Sequence, residues 1–298
     1  MQIQVPTIND GLPDFDCLFQ LWNQVNDDRL NITFTFERCK FLRQNAVAFL
    51  GGLARLIEGR GGKVTFDWNS LQGTIKTNLS KNGFMHAFNG GYQPWIGNSI
   101  PYREDYDQTH VPNYLTEDWL GRGWITISPD LTTDIVSTVA EIYANAFEHG
   151  QSAIGVFSCG QYYPKLKELK LTTIDFGVGI PSNIRFYNQK DNLSASEALG
   201  WAFSRGNTTK KENVSRGLGL DLLSEFVIIN KGTLEIFSHD GYVLVDTKQK
   251  RFEDRRQFFE GTLVNITLKC DESCYTSTSQ SDDESPVSYT HLTLPTNR

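Results

Sequence analysis

EIYANAFEHG (residues 141–150) places two polar side chains, Glu141 and Asn145, one helical turn apart on a stretch that otherwise reads as an amphipathic helix. Over residues 131–149, at about 100° per residue, Ile135, Val139, Ile142, Tyr143, Ala146 and Phe147 share one broad face. Asp134, Ser137, Thr138, Glu141, Asn145 and Glu148 share the other. Thr132, Thr133 and Asp134 are the candidates to cap its start. Taken alone, this is a helix with a solvated polar face. Two glycine-bearing stretches downstream offer a second reading. DFGVGIP (175–181) follows an apolar run, 169–174, that reads as a strand, and RGLGL (216–220) opens a helix over 218–229.

Each stretch meets one requirement of a nucleotide site. A Mg²⁺ that bridges phosphates needs hard oxygen ligands but few from the protein, because water and phosphate fill the octahedron. The side-chain carbonyl of Asn145 supplies one. Attack of water on a terminal phosphate needs an orienting carboxylate, and Glu141 shares the face of Asn145. Adenine donates through its exocyclic amine, and Asp175 at a strand end is placed to accept. Gly177 and Gly179 allow close backbone approach and positive φ. Gly217, Leu218 and Gly219 offer backbone N–H groups to phosphate at a helix start. Two commoner nucleotide sites are excluded. The chain has no GxxxxGK[ST] loop, and these glycines do not lie in the first turn of a parallel βαβ unit.

Composition sets the outer limits. The 298 residues suffice for one large domain or two modest ones. With 39% hydrophobic and 12% aromatic residues the chain can bury a core. A net charge of −7 gives no electrostatic reason to expect nucleic acid as a partner. No apolar run approaches the roughly 18 residues that span a bilayer. Nor does MQIQVPTIND read as a signal peptide, so a cytoplasmic protein with no membrane partner is expected. Cys17, Cys39, Cys159, Cys270 and Cys274 are odd in number and widely spaced, which predicts free thiols rather than disulfides or a zinc site.

Read in order, residues 1–30 carry no clear pattern. Residues 32–36 alternate as a strand, 42–58 form a helix closed by Gly59, Gly61 and Gly62, and 64–68 form a second strand. Strand, helix and strand predict a parallel βαβ pair. This order, the glycine before the second strand and a short helix ending in LSKNGF (79–84) resemble the STAS domains of anti-sigma-factor antagonists. Those domains often carry a phosphoaccepting serine where strand meets helix. Here FERCKFLRQNA (36–46) has no Ser or Thr, so no phospho-switch is expected there. Residues 85–125 read as a long connection with a short helix near 114–120. Strands are expected at 154–158, 169–174, 233–237, 242–246 and 262–268, with helices on one face of a mostly antiparallel sheet, giving an α+β fold. The Ser-, Thr- and Asp-rich stretch after Cys270 reads as a disordered tail. Its end, VSYTHLTLPTNR (287–298), resembles the translation of a sequencing-library adaptor and is set aside.

The three stretches in this order, ExxxNAxxHG, DxGxGIP and RGLGL, resemble the N, G1 and G2 boxes of the GHKL or Bergerat-fold ATPases. That superfamily includes gyrase B, the large heat-shock chaperones, mismatch-repair ATPases, sensor histidine kinases and anti-sigma-factor serine kinases. The resemblance covers residues 130–268, and NAxxHG is most similar to the anti-sigma kinase branch. It implies a C-terminal α/β sandwich of the Bergerat type, preceded by a smaller STAS-like α/β region. The implied division is 1–110 for the STAS-like region and connection, 111–270 for the ATP-binding domain and 271–298 for the tail. It implies ATP and Mg²⁺ as ligands, Asn145 on the metal, Asp175 on adenine, and a mobile lid over 183–215. Gly177, Gly179, Ile180, Gly217, Leu218 and Gly219 would shape the pocket, the Thr262 hydroxyl would help hold adenine, and Lys210 or Lys211 would approach the phosphates. Glu141 would serve hydrolysis. The same resemblance implies a regulatory ATPase or a serine/threonine protein kinase of the anti-sigma type, acting on a protein partner. A non-catalytic ATP-gated interaction module is the alternative, and a homodimer is compatible with the family. His149 has a bland reading as a histidine favoured near a helix C-terminus. A phosphohistidine relay is disfavoured, since no His-bearing dimerisation helix pair precedes the ATP domain.

Overall fold

The computed structural model describes residues 1–25, 27–89, 94, 97–148, 150, 152–204 and 219–276. In chain order the elements are β1 (Gln2–Gln4), α1 (Leu12–Asn23), β2 (Asn31–Thr35), α2 (Gln44–Gly59), β3 (Lys63–Phe66), α3 (Gly73–Lys81), α4 (Phe84–Asn89) and β4 (Ser99–Asp105). There follow α5 (Val111–Asn113), which runs on into a π-helical stretch Tyr114–Leu120, then β5 (Thr126–Ile127), α6 (Pro129–Glu148), β6 (Val156–Tyr163) and β7 (Glu168–Asp175). The remainder is α7 (Gly179–Asn188), α8 (Ala195–Ala202), α9 (Gly219–Ile229), β8 (Thr233–Val245), β9 (Lys250–Lys269) and β10 (Cys274–Tyr275).

The fold is α+β and stacks in four layers. A three-stranded parallel sheet, β1-β2-β3, forms the outermost layer. The layer of α1 and α2 comes next, then a five-stranded antiparallel sheet in the order β4-β6-β7-β9-β8. Helices α6 and α9 cover its far face. The layering follows from α2. Every residue of QNAVAFLGGLA, Gln44 to Ala54, is buried or nearly so. A helix apolar or small on all sides must lie between two packed layers. On one side it meets β3, and on the other β6 and β7.

The central sheet is correspondingly buried on both faces. Phe157, Cys159, Ile174, Phe237 and Leu263 face α1 and α2. Val156, Leu169, Leu171, Ile236, Val264 and Ile266 face α6 and α9. The expectation of helices on one face is therefore corrected. Its source is visible on β7: Lys170 and Thr172 look like a solvent face but are covered. Gln44 donates to the Thr172 and Asn265 side chains at 3.3 and 3.2 Å and accepts from Tyr163 at 2.9 Å. Lys170 pairs with Asp10 and Glu168 at 2.5 and 3.0 Å. A buried polar network satisfied in this way hides a polar stripe inside the molecule.

Other sequence expectations hold or shift locally. The parallel pair over residues 31–66, α2, α6, β7 and α9 form as expected. The N-terminal stretch that carries no clear sequence pattern contains β1 and α1. The connection over 85–125 contains β4, which pairs with β6, so the antiparallel sheet starts on the N-terminal side of residue 110. An edge strand tolerates the Pro101 and the charges that masked it. Two expected strands, 233–237 and 242–246, are one interrupted strand, β8. The stretch expected to be disordered begins with β10, which pairs with β5; residues 277–298 lie outside the described residues. At the start of α6 it is Ser128, not Thr132, Thr133 or Asp134, that caps. Leu131 N–H donates to its Oγ at 3.4 Å and Thr132 N–H to its carbonyl at 2.8 Å. All five cysteines carry free thiols. No described helix is long and apolar enough to cross a membrane.

Candidate functional site

The site is built on one row of the antiparallel sheet. Asp175, the last residue of β7, stands in register with Thr262 of β9, and Thr262 with Ser238 of β8. Strand alternation puts all three on the face covered by α6 and α9. Tyr143 of α6 fixes the helix over the neighbouring row of the same face, its hydroxyl 2.7 Å from the Ser158 Oγ and accepting from Thr173 at 3.2 Å.

Asp175 is 5% exposed. Its carboxylate accepts from the Gly177 amide at 2.9 Å. Burial pushes the carboxyl up to about 7, against the pull of the Gly177 amide and of the amide and hydroxyl of Thr262, which favour its charged form. An ionised carboxylate has about four acceptor positions. The described partners leave it capacity for a further donor.

The loop after Asp175 is clamped from two sides. Val178 N–H donates to the Gly150 carbonyl at 2.7 Å. A Cβ on Gly177 would overlap that same oxygen, so this close approach of loop to helix end requires glycine. Gly150 in turn donates to the Asn145 and Ala146 carbonyls at 3.1 and 3.0 Å, which closes the end of α6. Gly179 has φ +73°, where a side chain is strained. Below it, the Ile180 amide donates to Ser238 Oγ at 3.0 Å. Phe176 points the other way. Its ring packs edge-on against Phe49 of α2 and against Phe157 and Phe259, with centroids 5.5, 6.2 and 5.4 Å away.

The residues expected from sequence are thus brought together in part. Asp175, Gly177, Gly179, Ile180 and Thr262 form one contiguous group. Asn145 and Glu141 lie about one and two turns back along α6, off its buried stripe, Glu141 half-buried and Asn145 exposed. Gly219 begins α9, which packs on α6. His149, Lys210, Lys211, Gly217 and Leu218 lie outside the described residues. The described part of the expected lid, 183–204, holds most of α7 and all of α8. Among the described residues no group of three or more His, Cys, Asp or Glu could hold a metal ion. A phosphate-bound Mg²⁺ does not require such a group.

Sequence reading missed two residues here, Ser238 and His239. Their signal is SHDG (238–241), a polar interruption between two apolar runs that reads as a gap between strands. No family model matches the chain, and no curated protein matches it.

Proposed function

We infer that this protein binds ATP with Mg²⁺ at the Asp175 site as a member of the GHKL superfamily, and uses it as a regulatory ATPase or as a serine/threonine protein kinase of the anti-sigma-factor type. The observation that carries this reading is the hydrogen bond that ties the end of the EIYANAFEHG helix, at Gly150, to the Val178 amide of DFGVGIP. Two motifs quoted from separate parts of the sequence meet at one buried carboxylate. On this reading the five-stranded sheet with α6 and α9 is the Bergerat sandwich, and residues 1–110 are its STAS-like companion.

Asp175 would accept from the adenine amine, with Thr262 beside it. A buried acceptor suits this task, because an amine donor is worth more in a site that water does not reach. Asn145 would offer its side-chain oxygen to the metal, which when bound neutralises charge on the phosphates. Glu141, one turn before it, would orient the attacking water or hydroxyl. Gly219 would present the start of α9 to phosphate, together with Gly217, Leu218 and Lys210.

Incubation with terminally labelled ATP, following both free phosphate and label on candidate partner proteins, separates the outcomes. Free phosphate that disappears in Glu141→Ala supports the ATPase, and label on a partner Ser or Thr supports the kinase. Equal hydrolysis by wild type and Glu141→Ala would remove Glu141 from the mechanism. Tight binding with neither product would favour the alternative, a non-catalytic ATP-gated interaction module.

A further inference from the structure

The antiparallel pairing of β8 with β9 shifts register twice, between Ser238 and His239 and again between His239 and Gly241. Ser238 pairs with Thr262, but the next residue, His239, pairs with Phe259, so two residues of β9 are looped out. His239 adopts φ +56°, a left-handed conformation rare outside glycine. Strain of this kind persists where surrounding contacts hold it, and such positions cluster at functional sites. Here the polar contacts lead to the loop after Asp175 and to α7, which follows it, while the ring packs on Phe258. His239 Nε2 lies 2.9 Å from the Val178 carbonyl and 3.3 Å from Ser182 Oγ, and its Nδ1 lies 3.3 Å from an Arg185 Nη1. A carbonyl can only accept and a guanidinium can only donate. The imidazole therefore carries its proton on Nε2 and is neutral. Arg185 is itself held, its Nε donating to the Leu193 carbonyl at 2.8 Å. Ser238 accepts from the Ile180 amide, donates to the Gly261 carbonyl at 2.9 Å, and has its Oγ 3.2 Å from Thr262 Oγ1.

We propose that Ser238 and His239 are positioning residues for nucleotide recognition: the register shift between β8 and β9 aims both at the 178–180 backbone and holds it where Asp175 and Thr262 can grip the base. This rests on the reading of the Asp175 site as an ATP site. Val178 is thereby clamped twice, by its amide to Gly150 and by its carbonyl to His239. Neither Ser238 nor His239 needs to touch the nucleotide. The neutral form of His239 is further favoured by its burial and by Arg185, against the pull of the Val178 carbonyl and of Asp240 and Glu260.

The test compares His239→Phe, which keeps a ring but no donor, with His239→Gln, whose side-chain N–H can reach the Val178 carbonyl. ATP·Mg affinity is measured by calorimetry on the full chain, and the tautomer of His239 by ¹⁵N NMR of the wild type. Expected are an Nε2–H tautomer at neutral pH, a roughly tenfold weaker affinity in His239→Phe, and recovery to about wild type in His239→Gln, the size set by one lost hydrogen bond. Equal weakening in both variants, no weakening in either, or an Nδ1–H or doubly protonated ring would overturn the proposal. Absence of ATP binding by the wild type would instead overturn the reading of the site, and this inference with it.

Discussion

The Gly150 carbonyl oxygen accepts a 2.7 Å hydrogen bond from the Val178 amide, and this bond joins α6 to the loop that follows Asp175. Gly150 and Val178 are 28 positions apart in the chain, yet no atom fits between Gly177 and Gly150. Gly177→Ala must push the two apart. A loss of about 1–3 kcal/mol in stability is expected from overpacking. Urea unfolding measures that loss, and titration with ATP should show weaker binding than in the wild type. An unchanged affinity would mean that the helix–loop contact does not shape the site.

Asp175 gives the site a pH dependence with a definite sign. Its folded-state value, about 7, lies above its ordinary one. Between about pH 4 and 7 the folded chain holds a proton that the unfolded chain has released. The stabilisation from the neutral carboxyl is thus present at low pH and lost as pH rises through that window, by up to ~1.4 kcal/mol per pH unit. Asp175→Asn, which cannot titrate, is expected to gain stability relative to wild type as pH rises from about 4 to 7, as read from denaturant midpoints. Ionisation by an adenine amine would also release a proton on binding. Calorimetry in two buffers of different ionisation enthalpy measures that release.

Phe176 couples the loop to the other face of the sheet. It sits between Asp175 and Gly177, and its ring is buried against Phe49, Phe157 and Phe259. Phe176→Ala is expected to cost about 2–3 kcal/mol, less than a fully buried ring, and to weaken ATP binding as well. Thermal unfolding with and without ATP checks both effects. Loss of stability with full affinity would show that the loop holds its position without α2.

Removal of the first 97 residues exposes Phe157, Ile174, Phe237 and Leu263, which face α1 and α2. A fragment of residues 98–276 is expected to aggregate rather than fold alone, because so large an apolar face cannot stay in water. Gel filtration and near-UV circular dichroism decide. A monomeric, cooperatively folded fragment would make the N-terminal layers dispensable to the sheet.

Much of the fold is legible in the sequence, and the losses have physical causes. The alternation of residues 32–36 and the apolar run before Asp175 mark strands directly. β4 was hidden because an edge strand can carry Pro101, Arg103, Glu104 and Asp105. The outer part of β9, KRFEDRRQFFE, was hidden by charges that its position at the rim permits. The second covering layer was hidden by Lys170 and Thr172, whose partners Asp10 and Gln44 lie well over 100 residues away. At the candidate site, the close-approach and turn glycines Gly177 and Gly179 were readable because few other residues meet those conditions. Ser238 and His239 were not, since their importance depends on a register break that no local pattern encodes.

Asn145 offers the most direct test of the site as a whole. It is exposed on α6, so truncation to alanine should leave the fold intact. The measurement is calorimetric titration of ATP into wild type and Asn145→Ala, with and without Mg²⁺. Expected is Mg²⁺-dependent binding by the wild type that falls at least about tenfold in Asn145→Ala, the effect of losing one metal ligand's worth of affinity. Wild type that binds no ATP, or a variant that binds it with the same Mg²⁺ dependence, would contradict the account.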